Sequence, residues 1–275
     1  MHGFTLVAIG TSLPELGVVL NAINRGSPEA VDLAVGGVIG SNIANVMLVL
    51  AIAMLIGAAS QPDKDLKQDA LMLLAATTFV VLSVVMGEFP VWLGVLSISS
   101  MGGYYAYIFR TRGGDDSDEE DSWIPRGYAY ALVAFLFGLI LVKFGSDLLI
   151  EGGVGLAISI GVSEAVIGLT LVAFGTSLPE LAVTITASIR GVQGVAIGNI
   201  LGSNVANVMA VLGIGAIVAQ GLSVSGSFLT LDIWVLLVSS GIIGVSILLG
   251  KGVSKPLGAF LLLGYFVYVA QLFIG

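Results

Sequence analysis

The chain contains no cysteine, which excludes disulfides and thiolate metal sites. Its one histidine, His2, stands at the start, which excludes most Ser-His and Cys-His pairs and most zinc chemistry. Charge is scarce as well. Only 10% of the 275 residues are Asp, Glu, Lys or Arg, against about 25% in soluble domains, too few for a water-facing surface of this size. With 10 basic residues against 18 acids and a net charge of −8, the chain has no basic patch suited to nucleic acid. No signal peptide is legible.

What remains is apolar. Hydrophobic residues make up 57% of the chain, and 38 glycines are scattered through the apolar runs, as in membrane helices whose backbones approach closely. A bilayer core of about 30 Å takes roughly 20 apolar residues per helix. On that measure the segments 1–24, 31–58, 70–86, 91–109, 127–151, 165–189, 195–219, 228–249 and 257–274 read as membrane helices. The expected fold class is an all-α integral membrane protein. A loop at 110–126 carries Asp115, Asp116, Asp118, Glu119, Glu120 and Asp121, a run that reads as solvated, and it divides the chain into halves 1–109 and 127–275. If the first helix runs outward, Lys64, Lys67, Arg110, Arg112, Arg126, Arg190, Lys251 and Lys255 all fall inside and only Arg25 outside. The positive-inside bias then puts the acidic loop in the cytoplasm and the C-terminus outside, in a multi-pass protein of the plasma membrane.

The halves repeat one another. TLVAIGTSLPEL at residues 5–16 returns as TLVAFGTSLPEL at 170–181, and GSNIANVM at 40–47 returns as GSNVANVM at 202–209. The second copy of the first motif comes five helices after the first, so the copies are expected to be inverted, as in secondary transporters whose site lies near the midplane. Pro14 and Pro179 each break a helix and free carbonyls near Gly10 and Gly175, tolerable in a membrane only beside protein, water or an ion. Thr11 and Ser12 share a helical face with Glu15, and Thr176 and Ser177 share one with Glu180. A mid-membrane carboxylate marks an ion or proton path. The i, i+4 pairs Ser41 with Asn45 and Ser203 with Asn207 add hydroxyl and amide oxygens. The ensemble is oxygen-only with two negative charges, which suits a hard cation such as Ca2+.

The doubled GTSLPE and GSN(I/V)AN motifs resemble the alpha repeats of the cation/calcium exchanger superfamily, specifically its compact prokaryotic sodium/calcium exchangers, along essentially the whole chain. The resemblance implies ten helices in two inverted five-helix repeats and antiport of Na+ against Ca2+ by alternating access, with no enzymatic activity and no cofactor beyond the transported ions. It implies that Glu15 and Glu180 are the shared carboxylates, with Thr11, Ser12, Thr176 and Ser177 beside them. By the same resemblance Ser41 and Ser203 serve Na+ sites, Ala8 and Ala173 offer backbone carbonyls to Na+, and Asn45 and Asn207 occupy the remaining corners. Asn207 stands where some members carry aspartate, which argues against K+ cotransport. The segment 127–151, with Gly145-Ser146-Asp147, has no counterpart before Met1, so about nine of the family's ten helices are expected here.

A Ca2+/H+ antiporter stays open as the alternative, with an intramembrane hydrolase or a non-transporting membrane scaffold as remote ones. Asp147 and Glu151 are read as a solvated rim near a helix end. Asp69 and Asp232 are read as helix-starting acids that complement the dipole, and Glu88 and Glu164 are given no role in the site.

Overall fold

The computed structural model describes residues 8–57, 62–111 and 128–274; the acidic stretch 115–121 lies outside them. Ten helices follow one another among the described residues: α1 (Leu13–Arg25), α2 (Pro28–Ile56), α3 (Lys64–Met86), α4 (Val91–Thr111), α5 (Tyr128–Ile160), α6 (Glu164–Thr176), α7 (Leu178–Ile189), α8 (Gln193–Val218), α9 (Asp232–Leu248) and α10 (Lys255–Leu272). A helical turn at residues 8–11 leads into α1. Among the described residues, the one departure from an all-α chain is a ladder of two short strands, β1 (Glu88–Phe89) and β2 (Leu222–Ser223), antiparallel with Phe89 opposite Leu222. It joins the connection after α3 to the connection after α8.

The helix ends follow local chemistry. Asp63 accepts a hydrogen bond from Leu66 N at 2.7 Å, so α3 begins at Lys64 and not at residue 70 as the apolar run alone indicates. Its charged first turn belongs to the helix. Ser27 caps α2 in the same way, ahead of Pro28 in the first turn. Gly26 closes α1 in the left-handed conformation at φ 68°, where a side chain would be strained. The segment 165–189 is not one helix but two, α6 and α7, bent by 46° at Ser177. The last of the four residues 226–229 ends a 3-10 turn, and α9 starts only at Asp232.

α2, α3, α8 and α10 are each long and apolar enough to cross a membrane, and the bent pair α6–α7 makes a fifth among the described residues. α9, with 17 residues, is apolar but shorter. The outer surface is apolar: Phe109, Leu148, Ile158, Phe260 and Leu263 all stand open to the surroundings. A soluble protein rarely exposes so contiguous an apolar surface; here it faces lipid.

The interior is apolar as well and closely packed. α2 and α8 run through the centre, and 78% of their apolar windows is buried. α2 packs closely on α6 because glycines line the contact: a Cβ on Gly40 would stand 2.4 Å from the Leu169 carbonyl oxygen, and one on Gly168 would stand 2.3 Å from the Leu33 carbonyl oxygen. Small residues allow this approach in membrane helices, where packing supplies the attraction.

Two acids have a role other than the one expected. Asp69 lies inside α3 and not at its start, and Tyr104 of α4 donates a short hydrogen bond to it. Asp232 does start α9, but it is buried and accepts from Tyr268 of α10 at 2.8 Å. Each carboxylate thus joins two consecutive helices. Asp147 and Glu151 sit within the 33-residue α5 and not near its end. They meet Arg25 at 3.5 and 3.1 Å, and Asp147 also accepts from Asn21 at 2.5 Å. They form a partly exposed latch between α1 and α5.

Candidate functional site

Two helix breaks and three widened helical stretches build the centre. Prolines at Pro14 and Pro179 withhold the backbone N–H that a continuous helix would need. The chain turns at Ser12 (φ −86°, ψ 3°) and at Ser177 (φ −81°, ψ 0°). Hydroxyls take up the slack. Thr11 Oγ1 and Ser12 Oγ both donate to the Ala8 carbonyl at 3.2 Å, and Thr176 Oγ1 donates to the Ala173 carbonyl at 3.4 Å. The loosened carbonyls are therefore engaged at Ala8 and Ala173, two residues before the Gly10 and Gly175 carbonyls that the proline positions indicate.

α2 and α8 each pass into a π-helical stretch at a matching place, Asn45–Leu50 and Asn207–Leu212, and a third lies in α6 at Gly168–Val172. Such bulges re-aim side chains and gather at functional sites. They are invisible to a periodicity argument, because the apolar pattern continues through them.

The expected residues converge. Ser41 Oγ donates to Glu15 Oε1 at 2.8 Å and lies 3.0 Å from Ser177 Oγ; Asn207 Nδ2 donates to Ser41 Oγ at 3.3 Å. Thr11 Oγ1 lies 3.1 Å from Ser203 Oγ. Asn45 Nδ2 donates to Asn204 Oδ1 at 3.0 Å. Residues from both halves thus share one polar centre, with Glu15 2% and Glu180 0% exposed.

Sequence reasoning passed over Asn42 and Asn204. Asn42 Nδ2 donates to the Asn204 carbonyl at 3.3 Å, Asn204 Nδ2 donates to the Asn42 carbonyl at 3.0 Å, and Asn42 Oδ1 accepts from Asn207 at 3.1 Å. Their signal was present, since both asparagines recur in the repeated GSN.

The centre is short of hydrogen, not of oxygen. Glu15 Oε2, both Glu180 carboxylate oxygens, Asn45 Oδ1 and Asn207 Oδ1 are buried without a hydrogen-bond partner. Among the described residues the salt bridges are the two of Arg25, to Asp147 and Glu151, so neither buried glutamate is paired with a base there. Unpaired buried acceptors are costly, and no group of three or more His, Cys, Asp or Glu that could hold a metal ion occurs among the described residues. The donor set is two carboxylates amid neutral oxygens.

Comparison with known proteins agrees with this geometry. The sequence profile of the family described as "Sodium/calcium exchanger protein" matches residues 1–110 and 130–274. The chain is 35% identical over 217 residues to an uncharacterized membrane protein of Methanocaldococcus jannaschii, covering 78% of this chain and 69% of that protein. It is 29% identical to the sodium/calcium exchanger MaX1 of Methanosarcina acetivorans, covering 98% and 88%. A solved structure of the sodium-calcium exchanger NCX_Mj, soaked with Na+ and Ca2+, superposes with a TM-score of 0.68 at 30% identity, covering 98% of this chain and 85% of that one.

Proposed function

The chain belongs to the sodium/calcium exchanger family, and from that premise we propose that it is a multi-pass membrane antiporter that moves Ca2+ against Na+ through the polar centre. The observation that carries this reading is the set of five buried, unpartnered acceptor oxygens on Glu15, Glu180, Asn45 and Asn207. They are oxygens that a hard cation would satisfy.

Glu15 and Glu180 are the shared ligands, and their two charges balance one Ca2+. Thr11, Ser12, Thr176, Ser177, Ser41 and Ser203 supply hydroxyls. The Ala8 and Ala173 carbonyls serve Na+ when their hydroxyl donors turn away. Asn45 and Asn207 complete the set with amide oxygens. Na+ and Ca2+ compete for these atoms, and the centre changes its access when its charge is neutralised. If net charge moves, the membrane potential contributes about 2.3 kcal/mol per charge per 100 mV.

The halves 1–109 and 127–275 act as an inverted pair. In support, Gln193 at the start of α8 donates to the Gly57 carbonyl just past the end of α2, while Asn42 and Asn204 meet inside the same two helices, so α2 and α8 cross with opposite sense. The Lys and Arg distribution favours a cytoplasmic loop at 110–126, an external C-terminus and a plasma-membrane location. Asn207, a neutral residue, favours exchange without K+. The matching family and solved structure are exchangers, so the chain is read as a transporter and not as an enzyme.

The test is Ca2+ uptake into proteoliposomes, first under an imposed Na+ gradient and then under an imposed H+ gradient. Na+-driven uptake without K+ is expected. Uptake that follows the pH gradient and ignores Na+ would give the case to Ca2+/H+ exchange.

A further inference from the structure

The two halves match closely at the carboxylates and diverge one helical turn away. On α7, Glu180 is followed at i+4 and i+8 by Thr184 and Ser188, and all three are buried. On α8, Asn199 stands one turn before Ser203. The Asn199 amide donates to Thr184 Oγ1 at 3.1 Å, while Asn199 Oδ1 has no partner although the residue is 0% exposed. In the register that aligns Glu15 with Glu180 and Ser41 with Ser203, the first half places Val19 opposite Thr184 and Gly37 opposite Asn199. Helix packing alone therefore does not call for the amide, since glycine fills the matching place.

A buried acceptor left unpaired costs about 1–3 kcal/mol. Ser188 cannot relieve it, because its hydroxyl donates to the Thr184 carbonyl at 2.7 Å. On the side away from Glu180, Ala53, Ala187 and Ala196 are buried together, close to where Gln193 bonds the Gly57 carbonyl. Along the chain, Ala187 falls between Thr184 and Arg190, and Ala196 falls between the start of α8 and Asn199. On another face, Gly198 and Gly202 of the same stretch of α8 line a cavity with Ala8, Asp69 and Tyr104.

We infer that Asn199 Oδ1 and Thr184 Oγ1 form a second, neutral-oxygen cation subsite one turn from Glu180, a stepping position for a partly dehydrated Na+ on the Arg190 side of the centre. The inference rests on the exchange reading above. The subsite has no carboxylate of its own, so it suits a monovalent ion and does not hold Ca2+. It confines the polar route to one side, because Val19 and Gly37 offer nothing equivalent in the other half.

The test uses the full chain with Thr184→Val and Asn199→Gly, the residues that the first half carries, and Asn199→Ser, which keeps an oxygen. Equilibrium 45Ca2+ binding to purified protein is measured beside Na+-driven Ca2+ uptake in proteoliposomes. Thr184→Val and Asn199→Gly are expected to bind Ca2+ within about twofold of wild type and to lose about tenfold in uptake, equivalent to about 1.4 kcal/mol. The Na+ half-saturation should rise on the Arg190 side only, and Asn199→Ser should restore part of the rate. Wild-type uptake in both variants overturns the subsite. Loss of Ca2+ binding together with uptake also overturns it, since the two residues would then serve the carboxylate centre or the fold. A wild-type chain that neither binds Ca2+ nor exchanges it would instead refute the exchange reading.

Discussion

Asn42 and Asn204 hold each other across the centre, each side-chain amide donating to the other's backbone carbonyl, at 3.3 and 3.0 Å. The exchange locks the two central helices at the depth of the carboxylates. It also frees both asparagine Oδ1 atoms to accept from Asn207 and Asn45, which orients those neighbours. Asn42→Ala and Asn204→Ala are each expected to lower stability by about 1–2 kcal/mol, since hydrogen bonds inside membrane proteins contribute about 0.6 kcal/mol each on average and a carbonyl is left unsatisfied. Because the residues share partners, the double variant should lose less than the sum. Thermal unfolding in detergent measures this, and strictly additive losses would argue against a mutual brace.

Glu15→Gln and Glu180→Gln should separate stability from function. Each glutamate is buried without a basic partner among the described residues, so a neutral amide relieves a burial cost and the ion-free protein should not become less stable. Ca2+ should stabilise the wild type by about 2.7 kcal/mol at a concentration one hundred times its Kd. Both variants should lose that increment and Ca2+ uptake together. A melting temperature that still rises with Ca2+ in either variant would remove that glutamate from the ligand set.

Much of this centre was legible because the chain states it twice. Repetition singled out Glu15 with Glu180 and Ser41 with Ser203 without any knowledge of the fold, and proline placed the breaks that the structure has at Ser12 and Ser177. What stayed hidden was geometry that leaves no mark on apolar periodicity. The π stretches from Asn45 and Asn207 keep the hydrophobic pattern while shifting the helix register. The pairing of Asp232 with Tyr268 joins residues 36 apart in sequence, a distance at which no helical spacing rule operates. Asp147 and Glu151 were misplaced for a different reason. The length a bilayer needs bounds the apolar segment at residue 151, whereas α5 continues to Ile160.

The contact of Arg25 with Asp147 and Glu151 ties α1, which carries Glu15, to α5. Its side chains are 31%, 29% and 65% exposed, so solvent screens it and its contribution is expected below about 1 kcal/mol. Arg25→Ala should therefore change thermal stability slightly at low salt and not at all near 1 M, where the Debye length is about 3 Å. A large loss that persists at high salt would mean that the latch holds the fold and not merely the position of α1.

The contact between α2 and α6 makes the sharpest steric forecast. A Cβ on Gly168 would meet the Leu33 carbonyl oxygen at 2.3 Å and Gly37 N at 3.0 Å. Both are backbone atoms inside a helix, so neither can rotate away, and relief requires the helices to separate. Gly102, inside α4, has nothing within 4 Å of its Cβ position. Gly168→Ala should therefore destabilise by about 1–3 kcal/mol through overpacking. Gly102→Ala should be neutral or stabilising by up to about 1 kcal/mol, because alanine is the better helix former. α6 leads directly into the Ser177 break, so separation should also loosen the Ser41–Ser177 contact of 3.0 Å and weaken Ca2+ binding in Gly168→Ala alone. Melting curves with and without Ca2+ for the two variants test both parts, and equal behaviour of the pair would contradict the close helix contact.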